Sequence, residues 1–246
     1  MKAIITFHAL DLTPGPLSYA PADFERLLDG LAASKLPILS LDALLDPATP
    51  SGVTLTFDDG MASLRDAAMP VLRDRMAVAH IYLTVGAVGR DNRWPGQPQS
   101  APSFRMLDWD GVADLVAGGV LVEAHTMHHP DLRQLSAGEI EDEFAQADAE
   151  ISRRTGRAPR HFAYPYGFFD ARVEARAAAR YATAATTRLA WLRPGDRRSA
   201  LPRLDSHYLR AAFVRDCPGS VRARAYLTLR GAARRARSMV WNTFQS

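Results

Sequence analysis

The sequence predicts a parallel α/β fold, most simply a single barrel. Three observations carry that expectation. Apolar runs of strand length alternate with helical patterns six or seven times along the chain, the order that a parallel sheet with crossover helices requires. The run Val53-Thr54-Leu55-Thr56-Phe57 is β-branched or apolar throughout and reads as a strand buried on both faces. It ends in Asp58-Asp59-Gly60, and ligands and chemistry collect at that end of parallel strands. The length of 246 residues suits one such unit, since α/β barrels run to about 250 residues.

In chain order, Ala3 to Phe7 reads as the first strand, ending at His8. After a Pro/Gly-rich loop, Pro21 to Leu31 places Phe24, Leu27, Leu28 and Leu31 at helical spacing. Leu36 to Leu39 is a short apolar run, and Leu41 to Leu45 a helical turn closed by the breakers at Pro47 and Pro50. Ser63 to Arg75 reads as a helix that Pro70 must kink or divide. Ala77 to Val85 is the next strand. Gly86 to Arg105, holding Trp94, Pro95, Pro98 and Pro102, is a long irregular segment of the kind usually given to function or disorder. Leu107 to Ala117 is a helix stopped by Gly118-Gly119, and Val120 to Ala124 is a strand delivering His125. Ser136 to Thr155 is the clearest helix, with a Ser136/Glu139 capping box and Gly156 at its stop. His161 to Tyr164 is a short strand, Asp170 caps a helix through Arg180, Ala182 to Thr187 is a strand, and Leu201 to Leu204 is the last. We expect residues 1–215 to form the barrel and 216–246 a basic helical extension.

Composition is that of an ordinary globular protein, with 47% hydrophobic and 23% charged residues. A lone cysteine, Cys217, excludes an internal disulfide framework. The apolar piece after Met1-Lys2 is too short for a secretory leader and no run reaches membrane-span length, so a cytoplasmic location is expected. Lys2 and Lys35 are the only lysines, and no acidic residue follows Asp216, whereas Arg222, Arg224, Arg230, Arg234, Arg235 and Arg237 do. Such a tail is either a solvated helix packed on the barrel or a peripheral contact with the inner face of an anionic membrane. No nucleic-acid motif accompanies the arginines, and no such partner is expected.

The second notable stretch is His125-Thr126-Met127-His128-His129. His125 and His129 are four apart, so their rings can converge on one ion, and Asp59 supplies a carboxylate. Two imidazoles and one carboxylate, with positions left for water, make an open, catalytic type of metal site. Asp58, adjacent but unbound, can then take a proton from the attacking water. Each motif follows its own strand, which puts both on one barrel face.

With these residues in view, the chain resembles the polysaccharide deacetylases, a carbohydrate esterase family sharing the NodB homology domain. Thr56-Phe57-Asp58-Asp59-Gly60 matches the first family motif, and His125-Thr126-x-x-His129, followed by Pro130 and Leu132, matches the second. Phe162-Ala163-Tyr164-Pro165-Tyr166-Gly167 looks like the third, in the form found in the branch acting on poly-N-acetylglucosamine exopolysaccharides. The resemblance covers Ala3 to Leu204 and implies a distorted (β/α)7-type, NodB-like barrel. It implies Asp58 as general base and Asp59, His125 and His129 as ligands of a divalent metal ion, with zinc expected and nickel, cobalt or iron as alternatives. It further implies that Thr126 supports the histidine loop and that the backbone N–H of Tyr166 holds the oxyanion. His8, preceded by Phe7 where that branch has tyrosine, is expected to meet substrate, or else to be a hydrogen-bonded strand-end histidine. Tyr164, Pro165, Tyr166 and Trp94 are the other candidate substrate contacts; Trp109 fits helix packing better, and Trp191 is open between sugar stacking and core.

Two departures stand out. The arginine that orients the catalytic aspartate in the common third motif is replaced by Ala163; Arg203 could supply the guanidinium, or simply form a structural salt bridge. The family's Leu-x-His appears as Leu204-Asp205-Ser206-His207, one residue longer, which makes His207 a candidate acid or a loop histidine. The function implied is metal-dependent removal of an N-acetyl or other N-acyl group from an amino sugar in a glycan or exopolysaccharide precursor. The alternatives are deacylation or deformylation of a lipid-linked amino sugar or small amide, and a catalytically silent carbohydrate-binding relative.

Overall fold

A computed structural model describes residues 1–95, 97 and 100–243, with backbone alone for 238–243. Pro98 and the Met239 and Val240 side chains lie outside the described residues. Among the described residues seven strands close into a barrel, β1 (Lys2–Phe7), β2 (Gly52–Asp59), β3 (Ala79–Leu83), β4 (Leu121–Ala124), β5 (His161–Ala163), β6 (Thr183–Leu189) and β7 (Leu201–Asp205). Neighbours pair in parallel, and β7 returns to β1 through Ile5–Leu204 and Thr6–Asp205. The barrel is distorted. β4 meets β5 at Ala124–Phe162, and the β6–β7 register shifts between Ala185 and Leu189.

The crossovers carry α1 (Pro21–Ala33), α2 (Leu41–Leu45), α3 (Met69–Asp74), α4 (Trp109–Ala117), α5 (Ala137–Thr155) and α6 (Ala171–Arg180); α7 (Ala212–Arg215) and α8 (Val221–Thr243) follow β7. The expected caps form. Ser136 and Glu139 close the capping box of α5, Gly156 ends it at φ 71°, and Asp170 caps α6. Pro70 divides its helix into a π turn over Leu64–Ala68 and then α3. α7, four residues long, is too short to show a periodicity.

Side-chain alternation splits the strands into two environments. Outward, Phe7 and Phe57 stack at 5.2 Å and meet Phe24 of α1, while Phe144 of α5 meets Phe162 at 5.0 Å. Inward, the narrow barrel holds polar groups linked across strands. Its N-terminal end is plugged by Leu41 and Leu44 of α2 against Ile4 and Leu201. Beside that plug, His80 Nε2 accepts the Leu41 N–H at 3.0 Å, so its proton sits on Nδ1, 3.1 Å from Glu123 Oε1. Glu123 Oε2 accepts the Arg160 and His161 N–H groups at 2.7 and 2.9 Å. His80, Glu123 and His161 cluster as metal ligands do. A cation on His80 Nδ1 would, however, force a proton onto Nε2, where the Leu41 N–H already points. Glu123 thus joins the His80 ring and the His161 backbone, while the His161 ring turns its Nδ1 to Thr183 Oγ1 at 2.9 Å and its Nε2 has no hydrogen-bond partner among the described residues. No helix among the described residues is long and apolar enough to cross a membrane.

This cluster makes stability pH-dependent. Burial holds the His161 imidazole below its usual value; protonation therefore favours the unfolded chain, and stability is lost as pH falls below about 6.5. Burial acts to raise the Glu123 pKa, but His80 and His161 more than reverse it, so its contribution persists to lower pH. The melting temperature is expected to decline between about pH 6.5 and 5. His161→Asn, which retains a polar group beside Thr183, should flatten part of that decline in calorimetric scans across the range.

Candidate active site

At the end of β2 two adjacent carboxylates are sent in different directions. Asp59 sits at φ 70° and Gly60 at φ 101°, left-handed values that turn the chain sharply after the strand. A Cβ on Gly60 would also lie 2.5 Å from Leu83 Cδ1, so a side chain there would strain the turn and displace the Leu83 tip as well. Asp58 keeps strand geometry and points into the barrel. Arg203 of β7 grips it bidentately, Nη1 to Oδ1 at 2.6 Å and Nη2 to Oδ2 at 2.7 Å. The same guanidinium binds Thr6 Oγ1 and the Thr186 carbonyl, each at 3.0 Å. Burial acts to raise the Asp58 pKa, but Arg203, helped by His8, more than offsets it and holds the carboxyl below its ordinary value. Arg203 therefore reaches the aspartate that the third-motif arginine would otherwise serve.

The histidine loop after β4 is built with comparable care. His125 Nδ1–H donates to the Ala163 carbonyl at 2.7 Å, which leaves the Nε2 lone pair free to face the mouth. Thr126 and His129 adopt φ 67° and 57°, and Thr126 Oγ1 accepts the His129 N–H at 2.9 Å. Glu143 of α5 fixes the turn from outside: Oε2 takes the Met127 and His128 N–H groups at 2.9 Å, and Oε1 meets His128 Nδ1 at 2.7 Å. Nothing in the sequence singles out Glu143, because an acid on an amphipathic helix is ordinarily a solvated one.

The Nε2 atoms of His125 and His129 lie 3.4 and 3.5 Å from the same oxygen, Asp59 Oδ1. These separations are long for hydrogen bonds. They come close to the edge of a tetrahedron with bonds of ~2.0–2.1 Å, about 3.3–3.4 Å. All three residues are buried. Burial, followed by His125, pushes the His129 imidazole down to about 3, so it offers a neutral ligand rather than a compensating charge. Burial acts to raise the Asp59 pKa as well, yet its histidine contacts leave it below the ordinary value. The result is a buried carboxylate whose neighbour has the local guanidinium to itself. This donor set, two imidazole nitrogens and one carboxylate oxygen, fits a divalent cation.

Around this centre Tyr166, at φ 59°, heads a turn closed by Gly167 N–H to Tyr164 and Phe168 N–H to Pro165; its own N–H takes no part in those bonds. Its ring lies 4.5 Å from that of His129, and its hydroxyl accepts the Trp94 Nε1–H at 3.0 Å. Trp94 also packs on His129, with ring centroids 4.3 Å apart. His8 reaches the mouth: Nε2 is 4.0 Å from Asp58 Oδ2, the side chain is 20% exposed, and Nδ1 has no hydrogen-bond partner among the described residues. Pro165 is buried beneath its turn. Tyr164 is a correction. Its ring is 1% exposed between Phe162 and Phe169, and its hydroxyl donates to the Ser199 carbonyl, so it packs the core and cannot meet substrate. His207 is exposed on the rim with its ring edge-on to Tyr208, and no contact among the described residues joins it to Asp58, Asp59, His125 or His129. Trp109 packs under Arg154, and Trp191 lies against the core.

Arg203→Met would strand Asp58 as a buried, unpaired carboxylate, and urea titration should show a loss of about 3–5 kcal/mol. Arg203→Lys keeps the charge but not the fork and should lose clearly less.

The comparisons agree with this architecture. The sequence model of the polysaccharide deacetylase family matches residues 46–185. A chitin deacetylase of Colletotrichum lindemuthianum is 27% identical over 142 residues, 57% of this chain and 51% of that protein; the chain thus spans about half the length of that relative. The IcaB structure from Ammonifex degensii superposes with a TM-score of 0.73 at 24% identity, covering 89% of this chain and 97% of that one. The Streptococcus pyogenes deacetylase PplD in complex with acetate gives 0.70 at 22% identity, covering 82% and 90%. These two likenesses concern the fold. Because the family match takes in more than half of the chain, both strand-end motifs included, the protein belongs to the polysaccharide deacetylase family.

Proposed function

We propose that this protein is a metal-dependent deacylase that removes the N-acetyl group, or a related N-acyl group, from an amino sugar in a glycan. The observation that carries the reading is the convergence of Asp59, His125 and His129 on one point while Asp58, the next residue along, stands apart under Arg203. Asp59, His125 and His129 would hold the ion. Zinc suits this donor set, and nickel, cobalt and iron share the preference for imidazole with carboxylate. When bound, a divalent cation supplies Lewis-acid polarisation of the acyl carbonyl.

The chain's own groups supply the rest. Asp58, kept ionised by Arg203, accepts a proton as water attacks the acyl carbon. The Tyr166 N–H, which closes neither of the bonds of its turn, would donate to the oxygen that gains charge. The amine then leaves with a proton, and we assign its delivery to His8 rather than His207. His8 lies beside Asp58 and opens to solvent, whereas the His207 ring lies against Tyr208. Trp94 and Tyr166 pack on His129 and offer aromatic faces to a sugar ring.

Asp59→Ala and His125→Ala should each abolish both metal content, read by elemental analysis, and acetate release from N-acetylated oligosaccharides. Metal-free protein that still turns over would defeat the scheme. Asp58→Asn should retain the metal while kcat falls by about 10²–10⁴. His8→Gln should lower kcat by about 10²-fold or more, whereas His207→Ala should stay within about threefold of the parent.

A further inference from the structure

A groove of about 730 Å³ runs from the mouth of the barrel to the C-terminal helix, bounded by the turn after β5, the end of β6, the loop before β7 and α8. It meets the surroundings of the candidate active site at Tyr166. Tyr166, whose ring lies 4.5 Å from that of His129, forms one wall. Thr186, whose carbonyl accepts Arg203 Nε at 3.0 Å, lines it as well.

Its charge is one-sided. Arg188, Arg197, Arg234 and Arg235 line it against a single acid, Asp196. Arg188 pairs with Asp196 at 2.7 Å, and Arg197 with Glu174 at 2.9 Å. The Arg234 guanidinium is half-buried and has no hydrogen-bond or ion-pair partner among the described residues. Arg234 is also firmly placed. Three residues earlier, Gly231 brings the helix so close to β6 that a Cβ there would lie 2.2 Å from the Leu189 carbonyl oxygen. Residues three and four apart share a helix face, so this contact sets Arg234 and Arg235 over the groove. A half-sheltered, unpaired guanidinium in a positive cleft is suited to a planar or tetrahedral anion, which it can bind with two parallel hydrogen bonds.

We propose that this groove is an anionic subsite, with Arg234 as its specificity-determining residue: the glycan acted on carries a phosphate ester or a carboxylate beside the N-acylated sugar. This rests on the deacylase reading for its meaning, but binding tests it independently of turnover. Isothermal titration of the metal-free full chain would use three probes: N-acetylchitotriose, N-acetylglucosamine 1-phosphate, and a glucuronate-containing N-acetylglucosamine oligosaccharide. At least one anionic probe should bind about tenfold tighter than the neutral one, roughly the worth of one charge-assisted hydrogen bond. That advantage should vanish in Arg234→Ala, return in part in Arg234→Lys, and shrink as salt rises from about 50 to 300 mM. Whichever acid binds tighter identifies the source of the anion. Equal affinity for all three probes, or an Arg234→Ala loss shared by N-acetylchitotriose, would overturn the subsite. Arg234-dependent anion binding, with no amide hydrolysis on any probe by the metal-loaded protein, would uphold the subsite and defeat the deacylase reading.

Discussion

Everything at the mouth of this barrel depends on one buried ion pair. Asp58 and Arg203 sit on strands flanking β1 and meet across the interior, with Thr6 of β1 bonded to both. A lone carboxylate at that depth would protonate and could not fill the proposed role of base. The guanidinium prevents this and leaves the side chain no freedom to swing towards Asp59. Two neighbouring aspartates, which would repel if they shared a site, are thereby assigned different counter-charges. The irregularity of the sheet contributes. Where the β6–β7 register slips, between Ala185 and Leu189, the Thr186 carbonyl is available to receive Arg203 Nε, and the cation is anchored by backbone as well as by its partner.

Much of this was legible in the chain. The strand–helix alternation, the capping box at Ser136 and the divided helix at Pro70 are local, and local chemistry reads directly from sequence. The carboxylate pair and the two histidines were legible for a different reason: each stretch ends its own apolar run, and their residue types are those an open metal site would use. What lay hidden was long-range. Arg203 is 145 positions from Asp58, and no spacing rule joins them, so it could be named only as one guanidinium that might serve. His8 was ambiguous on the same ground. Glu143 was invisible, since its bonds to Met127 and His128 depend on how α5 packs against the histidine loop.

Tyr164 shows where a motif match stops short. The resemblance of Phe162 to Gly167 to the third family motif grouped Tyr164 with Tyr166 as substrate contacts. The strand ends at Ala163, and the turn at Tyr166, with φ 59°, rotates the second ring towards His129 while the first stays in the core. The tail offers a similar lesson. Counting arginines described the charge of α8 but not its orientation, which is set by Ala223 and Leu227 in the core and by the close approach of Gly231 to β6.

Asp59, Thr126, His129 and Tyr166 all bear side chains at positive φ, and all four border the proposed catalytic centre. Each such residue stores on the order of 1–3 kcal/mol, held in place by the rigid wall beneath it. Glycine at Asp59 or His129 would relieve that strain but remove a side chain proposed to hold the ion, so heat resistance gained there would cost turnover outright. At Thr126 and Tyr166 the exchange would only slacken the loops around the centre, and there endurance and turnover are expected to trade against each other by degrees.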